Sequence, residues 1–252
     1  MTDSSGRAGY WRRFWSIAID VIVIFAPFQF LAVWLFVGTA GHVQMAGGVV
    51  RVTRCEQVSA LPNDLSPSPP GDWNVATECW TNLFGAPTAH SLTVARLTTN
   101  GDKTASFTYS VGRTYALDAQ GAPIQAFALD NVAFVVLALY LVAMKSLRGQ
   151  SLGDRLARVK LVDIANPSRV GAPVWKVVLR YLAMALGLLP VAAWLGFLAF
   201  EFGVAASGHM SATLFFVLCG IAVAWALANL ILIARKLDPI YDRIGGVSVR
   251  RI

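Results

Sequence analysis

Four long apolar runs punctuate the chain, separated by segments of a different texture. The first extends from about Phe14 to Val37, the second from about Ala126 to Met144, the third from about Val177 to Phe200 and the fourth from about Ala212 to Ala234. A helix that crosses a bilayer needs roughly 20 apolar residues, so the pattern predicts four transmembrane helices. The first run is longer than the roughly 7–15-residue apolar core of a secretory signal and reads as a helix that stays in the protein.

Between the first two runs, Gly41–Gln125 is rich in polar residues, Gly and Thr. Ser91–Thr98 and Ala105–Val111 carry the β-branched and aromatic residues of strands, with Asn100-Gly101 between them as a hairpin turn. A second hairpin is predicted from Arg113–Leu117 to Pro123–Phe127 through Ala119-Gln-Gly121, and Val49–Arg54 reads as a further strand. Leu61–Asp72, with four prolines, reads as a loop. The expected organisation is an N-terminus and first helix over 1–40, a β-rich domain over 41–125, and the remaining helices and tail over 126–252.

Composition supports a non-aqueous solvent. Hydrophobic residues make up 56% of the 252 and charged residues only 14%, against about 25% charged in soluble domains. The net charge of +7 would suit nucleic acid, but sixteen of the 21 basic residues lie before the first run, between the second and third or at the opening of the third (Arg180), and after the fourth. With an even number of crossings those segments share one side, which the positive-inside rule makes the cytoplasm. The charge is therefore read as topology, with the lipid bilayer as partner and no nucleic acid. Gly41–Gln125 then lies outside, where Cys55 and Cys79 are expected to form a disulfide. A metal site from these cysteines with His42 or His90 matches no zinc spacing, and no metal or cofactor is expected. Cys219 reads as a small buried hydrophobe.

Three polar elements interrupt the apolar texture. Asp20 lies inside the first run, where a carboxylate costs up to about 2.5–3.5 kcal/mol on insertion scales. It must be paired, protonated or hydrated, so it is a candidate ion- or proton-responsive group; a helix–helix ion pair that fixes packing is the competing reading. Arg13 lies seven residues earlier on nearly the same face, about 10 Å away along the axis. It either reaches a partner or anchors the helix end beside Tyr10, Trp11 and Trp15. The second element, Arg148–Asp163, opens with Ser151 and Asp154 in a capping pattern and carries Arg155, Arg158 and Lys160 around an apolar face. It predicts a basic interfacial helix within a cytoplasmic segment over about 148–176. In the third, Asp238-Pro239 ends the last helix and Tyr241, Asp242 and Arg243 follow, with Asp242 a partner for Arg13 or a solvated tail acid.

These elements, in this order, resemble the RDD family, named for one arginine and two aspartates. Tyr10-Trp-Arg-Arg-Phe-Trp-Ser-Ile-Ala-Ile-Asp20 is similar to its opening signature, Gly149-Gln-Ser-Leu-Gly-Asp-Arg-Leu156 with Val162-Asp163 to its middle stretch, and Tyr241-Asp-Arg-Ile-Gly-Gly-Val-Ser-Val249 to its closing segment. The match makes Arg13 the arginine and Asp20 and Asp242 the aspartates, and Arg180-Tyr181 also fits. The resemblance covers the helices and cytoplasmic segments but not the outer domain. Tyr241 replaces a usual histidine and Asp154 a usual lysine. The family is largely uncharacterised, and some members have been linked to cation–proton exchange or other transport.

The expected fold is thus an all-α bundle of four transmembrane helices with both termini inside, carrying an inserted, disulfide-linked β-rich extracytoplasmic domain. The expected protein is a multi-pass, non-enzymatic component of the bacterial inner membrane. It would act in ion or solute transport through Arg13, Asp20 and Asp242, supported by Arg243, Arg180, Arg155 and Asp154. Four helices without an internal repeat suggest a homo-oligomer. The alternative is a non-transporting assembly or sensory subunit whose outer domain binds a protein partner.

Overall fold

The computed structural model describes residues 6–62, 64–69, 71–102, 105–185 and 211–252. Its helices are α1 (Tyr10–Gly38), α2 (Leu129–Leu147), α3 (Leu152–Leu156), α4 (Val174–Ala185), α5 (Ser211–Ala234) and α6 (Ile240–Ile244). Its strands are β1 (Val43–Gln44), β2 (Val52–Gln57), β3 (Val75–Leu83), β4 (Ala86–Asp102), β5 (Ala105–Leu117), β6 (Pro123–Ile124), β7 (Phe127–Ala128), β8 (Val159–Asp163) and β9 (Val247–Arg251).

The expected all-α bundle of four spans is corrected by this architecture. Among the described residues two helices, α1 and α2, are long and apolar enough to cross a membrane. A large part of the chain is instead sheet, including five antiparallel strands. Of the expected third span only α4 is described, and it buries Arg180 along with Val177 and Ala183. The rest of that run, 186–200, lies outside the described residues. The expected fourth span is the helix α5, of which Cys219–Ala234 is described as a shorter apolar helix.

On α1 and α2, large apolar side chains point outward: Trp34 is 81% exposed, and Phe30, Val37, Phe134 and Leu139 are exposed too. Outward apolar faces on helices of membrane length need a lipid solvent.

The chain divides into two compact units, Ile22–Val136 and the pair Met1–Val21 with Leu137–Ile252, so the divisions fall inside α1 and α2. The Ile22–Val136 unit is built on the antiparallel sheet β2-β3-β4-β5-β6. Alternation along its strands places Ala76, Leu92, Val94, Tyr115 and Leu117 on one face, where Leu65 and the half-buried Val58, Leu61 and Trp73 cover them. Cys55 stands directly opposite Cys79 and is bonded to it. The expected Asn-Gly turn does not form: Asn100 pairs with Phe107, and the ladder continues to Asp102 opposite Ala105. Two further rungs of backbone hydrogen bonding outweigh the local turn preference of the dipeptide.

In the second unit β8 and β9 pair antiparallel. Their Val159, Leu161, Val247 and Val249 form a core with Ala8, Ala172 and Val177. The Ala8 amide donates to the Val249 carbonyl, which fastens the start of the chain to its end. Gly245 is required where the chain passes α4, because a Cβ there would lie 2.9 Å from Cβ of Arg180.

Candidate functional site

The site lies wholly in the second unit and begins with one stripe of α1. Arg13, Ser16 and Asp20 are buried while Phe14, Trp15 and Ile17 are exposed. Spacings of three and seven residues put the polar three on one helical face.

Arg13 leads to Asp242. Its Nη1 donates to Asp242 Oδ2 at 2.6 Å, and Arg180 Nε donates to Asp242 Oδ1 at 2.5 Å. Asp242 has no exposed surface, and both arginines are buried. Arg13 Nε also donates to the Ala8 carbonyl, while the Arg180 guanidinium lies 5.4 Å and 5.6 Å from the rings of Tyr181 and Tyr241. Two guanidinium groups on one carboxylate make a strong, directional clamp. Burial, and next the charge of Asp242, push the Tyr241 hydroxyl upward, so this side chain stays neutral at physiological pH.

Asp20 does not join Arg13 or Asp242. It is 1% exposed and accepts from the Ser151 hydroxyl at 2.5 Å, the Gly153 amide at 2.8 Å and the Tyr140 hydroxyl at 3.3 Å. Each of these donors is neutral. Gly153 is required there, since a Cβ would collide with the Ser16 carbonyl and reach the Asp20 carboxyl.

Asp154 is the second buried carboxylate of this region. The Ser151 amide donates to it and the Ser151 hydroxyl accepts from its amide, which completes a full capping box on α3. Ser16 Oγ donates to Asp154 at 2.5 Å, and Lys145 pairs with it at 2.8 Å. Burial pushes the Asp154 carboxyl up, but the Lys145 charge and the hydrogen bonds from Lys145, Ser16 and Ser151 outweigh it and hold it below the usual carboxylate range. Asp154 thus meets a lysine supplied by α2. Ser151 thus serves both acids at once, donating to Asp20 while capping with Asp154.

Arg13, Ser16, Lys145, Asp154, Arg180 and Tyr241 line a small cavity of about 30 Å³, enough for a water molecule. Of the remaining sequence candidates, Arg243 is exposed and its Nε donates to the Asp238 carbonyl, and the Arg155 side chain is exposed. The sequence counts Lys145 only among the topology charges, gives Gly153 only a tight turn out of the second run, and assigns no part to Ser16 or Tyr140. Lys145 in the last turn of an apolar helix was the one available signal.

In the other unit the cysteines are joined, so neither is a thiolate ligand. His90 Nε2 lies 2.6 Å from Glu78 and its Nδ1 2.7 Å from the Asp118 carbonyl. Among the described residues no group of three or more His, Cys, Asp or Glu could hold a metal ion.

The RDD family model matches residues 104–244, more than half of the chain. The chain belongs to the RDD family. No curated protein and no solved structure matches it. Family and apolar helices together make this RDD chain a membrane protein. The RDD match takes in Lys145, Ser151, Asp154, Arg180 and Asp242 but starts after Arg13 and Asp20, which reach the matched residues through the contacts above.

Proposed function

We propose that this RDD protein takes part in moving ions or small solutes across the membrane, with Asp20 as the group that exchanges a proton or a cation. One observation carries the reading: Asp20 is buried and met by neutral donors from Ser151, Gly153 and Tyr140. A buried carboxylate without a cationic side chain beside it has only a proton or a small cation to balance its charge. Asp154, with its own lysine, has no such need. The Arg13–Asp242–Arg180 clamp acts in this reading as the fixed frame that holds α1 in place.

The proposed topology has α1 leading out of the cytoplasm and α2 leading back, with both termini inside. The hydrogen bond from Ala8 to Val249 and the ion pair of Arg7 with Asp238 support a shared side for the two ends. The Cys55–Cys79 disulfide suits an oxidising compartment for the segment between the helices.

Replacing Asp20 by Asn tests the reading in proteoliposomes. It is expected to abolish pH-dependent cation flux while insertion and thermal melting stay near wild type. Unchanged flux, or loss of folded protein with no flux defect per folded molecule, refutes it. A second reading, a non-transporting assembly or sensory subunit, is favoured by the closed Asp242 clamp, whose carboxylate is engaged on both oxygens by buried arginines. It expects Asp20→Asn to change protein yield alone.

A further inference from the structure

β2 is the edge of the five-stranded sheet, pairing with β3 on one side and, among the described residues, with no strand on the other. All six of its residues are exposed. Such an edge presents unpaired amides and carbonyls and is a template for another strand. The direction of those groups follows from the register. The Val58 amide donates to Ala76 of β3; alternation then turns the amides of Arg54 and Glu56 toward β3 and those of Thr53, Cys55 and Gln57 outward.

The sequence along this edge is Val52-Thr-Arg-Cys-Glu-Gln-Val58. Read antiparallel against itself with Cys55 at the centre, Arg54 faces Glu56, Thr53 faces Gln57 and Val52 faces Val58. Every pair is complementary, and each charge occurs twice because a two-fold axis repeats it. The centre also agrees with the backbone. Cys55 must be the middle of a hydrogen-bonded pair for this register, and its amide is one of those that points outward. Arg54 and Glu56 then occupy non-hydrogen-bonded positions, where facing side chains come closest. The disulfide does not obstruct this, because Cys55 is joined to Cys79 within its own sheet.

We infer that β2 is a pairing edge for a second copy of this chain, joining two five-stranded sheets into one through Arg54–Glu56 pairs on either side of a two-fold axis at Cys55. Six residues a side are well short of the roughly 20–30 of a stable soluble interface. The contact therefore draws on confinement of both copies to one bilayer, which raises their effective concentration. It rests on the membrane placement proposed above and not on transport.

Charge reversal tests the pairing. Full-length protein carrying donor or acceptor dyes on a C-terminal tag is reconstituted in phosphatidylethanolamine–phosphatidylglycerol vesicles, and association is read as energy transfer between copies. Arg54→Glu alone and Glu56→Arg alone each place like charges opposite one another and are expected to weaken self-association by about tenfold. An equal mixture of the two variants restores both ion pairs and is expected to associate like wild type, as is the double variant. Single variants that associate normally overturn the inference. So does a mixture that stays apart although both proteins form the Cys55–Cys79 bond. Absence of flux in wild-type protein that pairs normally counts against the transport reading alone.

Discussion

Arg13 and Asp242 meet at 2.6 Å across a separation of 229 residues, both side chains buried. Arg180 holds the other carboxylate oxygen, so one aspartate neutralises part of two guanidinium groups that have little water around them. Replacing Asp242 by Asn leaves both cations buried without their counter-charge, a change that costs about 3–5 kcal/mol. Thermal unfolding in detergent is expected to show that loss. A melting temperature within a degree or two of wild type would mean that the clamp contributes little.

Gly153 offers a second test, because its hydrogen occupies space beside Ser16 and Asp20 that no methyl group can share. The expected penalty for Gly153→Ala is about 1–3 kcal/mol from overpacking, with α1 pushed away from α3. Gly220, in α5, has nothing within 4 Å of the equivalent position. Gly220→Ala therefore serves as the control and should be neutral or slightly stabilising, since alanine favours helix. Equal effects of the two substitutions in unfolding measurements would show that the close approach at Gly153 is relieved at no cost.

What the sequence disclosed and what it withheld divide along a physical line. Local signals were readable: the capping pattern of Ser151 and Asp154 is a full capping box. The seven-residue spacing of Arg13 and Asp20 does mark one buried stripe. The same spacing suggested a single polar network, yet the two residues serve different partners, because a rise of about 10 Å brings them level with different segments of chain. Which segment lies at each level is a tertiary fact that helical periodicity does not contain. The third apolar run follows the same logic. Apolar runs near residues 177 and 212 satisfy a hydropathy rule, but Arg180 in the first of them is buried against Asp242 of the tail.

Acid should reveal the Asp154–Lys145 pair. The folded-state value of Asp154 is depressed because the lysine charge and three hydrogen bonds outweigh burial, so ionised Asp154 stabilises the fold above the unfolded carboxylate value. That contribution is lost as pH falls below about 4 and through the depressed value of the folded state. The difference in stability between wild type and Asp154→Asn is accordingly expected to be widest near neutrality and to close in acid. Denaturant titrations from pH 7 downward check this; a difference independent of pH would assign the effect of the substitution to packing or to the lost capping box.

The Cys55–Cys79 bond gives the most localised expectation. It closes a loop of chain with a sequence separation of 24, and cross-linking a loop of that size removes unfolded-state entropy equivalent to about 3 kcal/mol. The two residues are already opposed in the β2–β3 ladder, with backbone partners on both sides. The strands therefore keep their register when the bond is cut, and the loss appears in stability rather than in fold. Reductant should lower the melting of wild type to that of Cys55→Ser/Cys79→Ser and leave the double variant unchanged. Because the bond lies within Ile22–Val136, amide exchange should quicken in β2 and β3 while the amides of β8 and β9 keep their protection. Faster exchange in both units would show that they unfold as one, and equal protection in all four strands would show that the ladder alone carries the stability assigned to the disulfide.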